Sequence, residues 1–266
     1  MEAPLQTWKR FRSADSGGQP FLFYVIFGDI DWSESLSRQV YRCDGPPDGI
    51  DLMSYGPDSH PEVPGSFCEG WSWDEFVARD PQCAARVGKC GQCIVLRGTP
   101  TNASTLNYLR DVIGLITYML DHGGCAVHDL QRLHWWNPTE WKRRIFDPGE
   151  PVPRQHTVLL VSEEPDPSLK WYHTRGMRQF GRPDISVHNV PDTFAEGVIE
   201  LCNRLIEHQA RGAILEEGQE VHLATLPPGG VIRHGGDLEN PDFNNVHVEV
   251  SWPAGGLPAI ANTGGF

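Results

Sequence analysis

The chain lacks the segments that insert a protein into a membrane or export it. No apolar run in its 266 residues approaches the roughly eighteen needed to span a bilayer. The first twenty residues carry basic side chains but no apolar stretch typical of a secretory signal. The seven cysteines are odd in number and follow no framework spacing, which predicts reduced thiols. We therefore expect a cytoplasmic protein, with no membrane partner.

Positive charge is also scarce. The 22 Lys and Arg residues are outnumbered by 35 Asp and Glu residues, and the formal net charge is −13 at pH 7. Binding to nucleic-acid phosphates needs a basic surface, so a nucleic acid is not the expected partner. An acidic surface is typical of a cytosolic protein kept in solution by its charge.

The signatures of several common enzyme classes are missing. The chain has no G-x-S-x-G elbow, no P-loop, no G-x-G-x-x-G after a strand and no H-E-x-x-H helix. These absences argue against the usual serine hydrolases, nucleotide-dependent enzymes and zinc proteases. We expect no cofactor.

One C-x-x-C pair, Cys90 and Cys93, is a candidate redox or zinc site. A redox pair needs its first cysteine at a helix N-terminus, but here the apolar residues 94–96 predict a strand. A zinc site needs two further ligands, and the other cysteines do not form a second C-x-x-C. We favour two partly buried thiols in a turn and expect no metal.

Apolar periodicity predicts the main elements of the first half. Residues 21–29 form an apolar run of strand length. Residues 43–89 are rich in Gly, Pro, Asp and Ser, which predicts a long irregular loop with one short helix near residues 73–79. A helix follows, capped by Thr101, Asn102 or Ser104 and ended by a glycine pair. Its apolar stripe consists of Leu106, Leu109, Ile113, Ile116 and Leu120.

The second half repeats the order strand, capped helix, glycine, strand. Strands are predicted at residues 156–161, 169–173, 185–190, 221–223 and 246–250. Asp192 or Thr193 is expected to cap the intervening helix, with Glu196 as the capping-box partner. This irregular interleaving favours an α+β fold, with a mixed or antiparallel sheet and helices packed on one face. We expect halves 1–150 and 151–266, two similar strand-helix-strand units forming one compact body.

The segment WYHTRGMRQFGRPDISVHNV, residues 171–190, is the most unusual in the chain. Gly176 and Gly181 permit a sharp turn between two strands. Met177 and Phe180, inside that turn, are expected to anchor it in the core. The three arginines of the segment are then left to project.

Those projecting residues are the first candidate site. Guanidinium groups on a rigid loop suit bidentate recognition of carboxylate or phosphate, which points to Arg175, Arg178 and Arg182. His173 is expected to supply a proton near neutral pH. The alternative is structural: Asp184 pairs with an arginine and the loop only braces two strands. In either case Arg175, Arg182 and Asp184 are expected to form one coupled polar cluster, held by Gly176, Phe180 and Gly181.

The stretch NPDFNNVHVEV, residues 240–250, is the second candidate. Phe243 is expected to anchor it, and Asn244 opens a turn before an alternating strand. His247 and Glu249 share the face opposite the valines. They form either a solvated strand face or an acid/base pair, if that face looks into a cleft.

The helix-Gly-Gly-strand of residues 106–128 and the TRGMxxFGRPD run of residues 174–184 resemble families of uncharacterised bacterial cytosolic proteins of accessory or immunity type. That resemblance implies no established catalytic residues. The leading hypothesis is a binding protein whose Arg/His-rich pocket, including Asn244, holds a small anion or a protein partner. The alternative is a hydrolase or lyase that uses His173 or His247 with Asp184 or Glu249, and an arginine to hold the substrate.

Overall fold

Two separate β-sheets organise the chain in the computed structural model, which describes residues 3–11, 18–253 and 257. One compact unit contains Gln19–Gln155 and the described residues 3–11. The other contains Gly18 and the described residues from His156 onward. The α+β class is confirmed, because both units combine antiparallel or mixed strands with helices.

The first unit has a five-stranded antiparallel sheet in the order β2-β3-β1-β4-β5. Its strands are β1 (Leu22–Gly28), β2 (Ile50–Tyr55), β3 (Cys93–Gly98), β4 (Gly124–Asp129) and β5 (His134–Trp136). Its helices are α1 (Arg38–Tyr41), α2 (Glu62–Ser66), α3 (Trp71–Arg79), α4 (Pro81–Val87), α5 (Asn107–Asp121) and α6 (Pro138–Trp141). A π-helical turn (Lys142–Phe146) follows α6, and α7 (Pro153–His156) lies where the chain passes to the second unit.

The second unit has a six-stranded sheet in the order β6-β7-β8-β11-β10-β9. Its strands are β6 (Val158–Glu163), β7 (Leu169–Arg175), β8 (Asp184–Pro191), β9 (Glu220–Val221), β10 (Gly230–Gly235) and β11 (His247–Ser251). One long helix, α8 (Ala195–Ala210), packs on β7 and β8. The sheet is mixed because β8 and β11 run parallel while the other pairs are antiparallel.

The strand predicted at residues 21–29 is confirmed as β1, whose interior is buried on both faces. Val25 and Phe27 belong to a core cluster with Phe76 of α3 and residues of α4. Tyr24, on the opposite face by strand alternation, makes an edge-to-face contact with Trp141 of α6. Helices therefore cover both faces of this sheet, whereas the sequence predicts them on one face.

Residues 43–89 differ from the predicted irregular loop. They contain β2 and three helices, of which only α3 was expected. Asp80 ends α3 and caps α4, where its carboxylate accepts a hydrogen bond from the Cys83 amide and Pro81 occupies the first turn. The density of glycine and proline thus marks the ends of short elements rather than their absence.

The two long helices α5 and α8 are confirmed, but their predicted caps are wrong. Leu106 precedes α5 without a side-chain cap, and the Asn107 amide donates to the Thr105 hydroxyl. Before α8, a 3₁₀ turn (Asp192–Phe194) takes the place of the predicted capping box. Among the described residues, no helix combines the length and apolar character needed to cross a membrane.

Candidate functional site

The turn after β7 is built as the sequence predicts. Gly176 has φ 112° and Gly181 has φ 62°, and a 3₁₀ turn lies between them. Met177 and Phe180 are fully buried and anchor this turn. A Cβ atom on Gly176 would lie 2.3 Å from the carbonyl oxygen of His156, so the approach of that backbone also requires glycine.

Asp184, at the start of β8, is the centre of a buried brace. Its side chain is 0% exposed and accepts hydrogen bonds from the Thr174 hydroxyl at 2.9 Å, the Met177 amide at 3.2 Å and the Asn245 amide group at 2.8 Å. Burial raises the pKa of the carboxyl to about 7, while these donors and the charge of Arg175 oppose that rise. Within the described chain, no guanidinium donates a hydrogen bond to Asp184. This supports the structural interpretation of this residue.

Arg182 does not project, which corrects the prediction. It is 3% exposed, and its guanidinium donates to the carbonyl oxygens of Gly181 and Gly212, each at 3.1 Å. The same Asn245 amide that binds Asp184 also donates to the Arg182 carbonyl at 2.9 Å. The predicted coupling of Arg182 and Asp184 therefore runs through Asn245 and not through an ion pair.

Arg178 and Asn244 meet at the surface. The Arg178 guanidinium donates to the Asn244 carbonyl at 3.0 Å. Asn244 is exposed and has φ 52°, the left-handed conformation that asparagine tolerates well. The sequence predicts both residues as ligand-binding but does not predict their contact, which joins the loop after β7 to the segment before β11.

Arg175 differs from Arg178 and Arg182 in its hydrogen bonding. It ends β7 and is half-buried, and its Nε is enclosed without an acceptor. In the described part of the chain, no residue accepts a hydrogen bond from its guanidinium. Burial lowers its pKa, and the carboxylates of Asp184 and Asp242 act on it only through space. Nε is enclosed, whereas the exposed part of the guanidinium is open to water or to an anion that replaces that water.

An aromatic and imidazole cluster adjoins Arg175 on β7. The Trp171 ring lies between His173, at 3.9 Å between ring centroids, and His188, at 4.7 Å. The Trp171 indole N–H donates to the Ser186 hydroxyl at 2.8 Å, which fixes the orientation of the indole. This stack makes a rigid wall beside the arginine.

Phe243 extends the wall to His247. Its ring stacks on His247 at 4.4 Å and meets His173 edge-on at 5.7 Å. Burial lowers the pKa of His173 to about 4, and its Nδ1 is enclosed without a partner. His173 is therefore neutral at neutral pH, which corrects the prediction that it supplies a proton there.

The histidine–carboxylate pair of this face is not one that the sequence predicts. His188 Nδ1 lies 2.7 Å from Glu164 Oε1, and Glu164 also accepts from the Asn189 amide at 3.2 Å. His247 and Glu249 do lie on one face of β11, but among the described residues their side chains form no hydrogen bond. Apolar and polar residues alternate strictly over residues 185–188 of β8, and this pattern in the sequence places His188 on the same face as Ser186.

Cys90 and Cys93 lie where the first unit passes from α4 to β3. The Cys90 amide donates to the Val87 carbonyl, as suits the predicted turn, but Cys93 is fully buried and already belongs to β3, whereas the sequence places it in the turn before a strand at residues 94–96. Burial raises the pKa of Cys93 to about 12, which keeps this thiol protonated. In the ranges that the structure describes, no group of three or more His, Cys, Asp or Glu residues is arranged to hold a metal ion.

Comparison of the chain with protein-family models, with curated proteins and with solved structures gives no match. The resemblance to bacterial accessory or immunity-type proteins thus rests on the sequence patterns alone.

Proposed function

We propose that this chain is a binding protein that holds a small organic anion at Arg175. The observation that carries the proposal is the half-buried Arg175 guanidinium with no acceptor in the described chain. A carboxylate or phosphate would accept charge-assisted, bidentate hydrogen bonds from it. The sequence hypothesis of an Arg/His-rich anion site is thereby narrowed to one arginine.

The surroundings of Arg175 favour binding over chemistry. Buried His173 is neutral, Asp184 is occupied by three donors, and the stacked rings form a wall without an evident nucleophile. Arg178 is partly exposed and bonded to the exposed Asn244, and we assign both to contacting the ligand rather than to reacting with it. A protein partner that presents a carboxylate would satisfy the same chemistry.

We place the protein in the cytoplasm. All seven cysteines are free thiols, which suits a reducing compartment. The net charge of −13 makes nucleic acid an unsuitable partner, and we propose no membrane partner.

Arg175→Ala tests the binding function. Thermal-shift screening of small carboxylates and phosphates should show at least one that stabilises the wild type and leaves the variant unaffected. The variant itself should lose little stability, because the Arg175 guanidinium donates no hydrogen bond to any residue that the structure describes. Arg233→Ala, which removes an exposed arginine paired with Glu217 in the same unit, is the matched control and should respond like the wild type.

Asp184→Asn is the second control in that screen, because it disturbs the brace while leaving Arg175 in place. In mildly acidic buffer it should unfold at a lower temperature than the wild type and still respond to the same ligand. Identical ligand responses in the wild type and Arg175→Ala would refute the anion site.

A second function, acid/base catalysis, is favoured by one specific contact. The Glu164 carboxylate orients His188 through Nδ1, which leaves Nε2 available as a general base or acid. A hydrolase or lyase would then hold its anionic substrate at Arg175. Turnover of carboxylate or phosphate esters that survives unchanged in His188→Asn would exclude this role.

A further inference from the structure

Most of the cysteines gather in one region of the first unit. Cys83 and Cys93 belong to the core cluster on one face of its sheet, and Cys68 and Cys125 pack against that cluster. Cys90 lies in the short segment between α4 and β3. Cysteine is a common core residue, so the buried thiols need no further explanation. Cys68, Cys90 and Cys125 are only half-buried, and a solute can reach them.

A β-bulge turns Cys125 towards this cluster. Phe27 of β1 pairs with Ala126 of β4, and the next residue, Gly28, pairs with Gly124, so Cys125 opposes no residue of β1. In a regular strand, Cys125 and Ala126 would face opposite sides of the sheet. Here both pack with the same cluster, because the extra residue of the bulge re-aims the side chain. Cys125 thus faces the side of the sheet that α3 and α4 cover.

The segment before β3 brings Cys90 to the same place. The Gln92 carbonyl accepts hydrogen bonds from the Cys90 thiol and from the Gly28 amide, each at 3.4 Å. Gly28 pairs with Gly124, the neighbour of Cys125 in β4. The Cys90 and Cys125 side chains are hydrogen-bonded to each other, so their sulfur atoms are in contact. The spacing of the cysteines along the chain gives no sign of this pair.

The neighbouring thiols are held in the protonated form. Burial raises the pKa of Cys125 and of Cys93 to about 12, and that of Cys68 to about 11. The thiolate is the nucleophilic form of cysteine, so these three thiols are poor nucleophiles at neutral pH. Cys90 is left as the half-exposed thiol for a first attack on an oxidant, with the Cys125 thiol in contact with it.

We propose that Cys90 and Cys125 are a peroxide-oxidisable thiol pair that closes to a reversible disulfide. The Cys90 thiolate attacks the O–O bond of a peroxide, which oxidises its sulfur to a sulfenic acid and reduces the peroxide to an alcohol or water. The Cys125 sulfur then displaces the sulfenic hydroxyl, which leaves as water with the Cys125 proton. Two thiols and one peroxide thus give one disulfide, one water and the reduced peroxide. This site lies in the first unit and does not depend on the anion site at Arg175.

Peptide mapping after mild oxidation tests the pairing. Reduced protein is treated with a small molar excess of hydrogen peroxide, the remaining thiols are alkylated with N-ethylmaleimide in denaturant, and the chain is digested with trypsin. Cys90 and Cys125 fall on separate tryptic peptides, residues 90–97 and 111–132. The wild type should yield these two peptides linked, with Cys93 alkylated in the first of them. Dithiothreitol added before alkylation should abolish the link.

Serine variants assign the two roles. Cys125→Ser should lose the link, and its Cys90 should accumulate as a sulfenic acid that dimedone traps. Cys90→Ser should lose both the link and the dimedone adduct. Cys68→Ser, at the third half-buried cysteine of the region, is the matched control and should form the link as the wild type does. If Cys125→Ser does not fold, as judged by circular dichroism, the wild-type map, Cys90→Ser and the control still decide.

Three results would overturn the proposal. They are no linked peptides under conditions that oxidise glutathione in the same tube, a link from Cys90 to Cys93 or Cys68 in place of Cys125, or an undiminished link in Cys90→Ser. Arg175→Ala should form the link as the wild type does, which keeps this test separate from that of the anion site.

Discussion

At the scale of a single residue, burial and hydrogen bonding have opposite effects on the pKa of the Asp184 carboxyl. Burial raises the pKa of its carboxyl from 3.8 to about 7 in the folded chain. The folded state therefore holds this proton more tightly than the unfolded state does. The stability that the bound proton contributes is complete below the unfolded pKa of 3.8 and is lost as the pH rises through about 7.

We expect Asp184→Asn to lower the free energy of unfolding by about 1–3 kcal/mol in mildly acidic solution, because the new amide group opposes the donor of Asn245. The difference between wild type and variant should shrink as the pH approaches neutrality, since only the wild type loses a proton. Urea unfolding across this pH range measures the difference. Asp192→Asn, at an exposed carboxylate, is the control, and a constant difference for Asp184→Asn would contradict the linkage.

At the scale of the element, the turn between β7 and β8 depends on glycine for two separate reasons. Gly176 has a positive φ, and a Cβ atom there would also collide with the carbonyl of His156 at 2.3 Å. Gly218 has a positive φ of 77° but open space around it. An alanine at Gly218 would therefore meet backbone strain alone, whereas an alanine at Gly176 would meet both strain and a steric collision.

Gly176→Ala should destabilise the chain by roughly 2–5 kcal/mol, the sum of left-handed strain and overpacking. Gly218→Ala should cost only about 1–2 kcal/mol, from strain alone. Denaturant unfolding of both variants provides the comparison. Equal losses would mean that the contact with His156 yields without cost, and that the turn is less rigid than its geometry indicates.

At the scale of the whole molecule, stability rests on two sheets and their helices without covalent crosslinks. All seven cysteines are free. We expect the thermal unfolding midpoint to be the same with and without reductant, measured on freshly prepared protein by circular dichroism. A lower midpoint in reductant would reveal a stabilising disulfide and would also remove the thiol argument for a cytoplasmic location.

The sequence by itself determined the elements that are predicted by the local spacing of their apolar residues. An apolar run identified β1, helical stripes identified α5 and α8, and glycines with apolar anchors identified the turn at residues 176–181. These signals are local, because the spacing of apolar residues reports which face of a helix or strand is buried. The other short elements of residues 43–89 were not predicted, because each one contains too few residues to show a clear apolar period.

Only the tertiary structure decided which polar residues meet. The parallel pairing of β8 and β11 brings Asn245 to Asp184 across 61 residues of sequence. Glu164, just after β6, reaches His188 of β8 across 24 residues because both strands flank β7. The sequence predicted Arg175, Arg178 and Arg182 as equivalent. In the structure Arg182 is buried among carbonyl oxygens, Arg178 is bonded to Asn244, and Arg175 has no acceptor in the described part of the chain. Sequence could not separate them, because contacts between distant segments depend on strand register and not on local pattern.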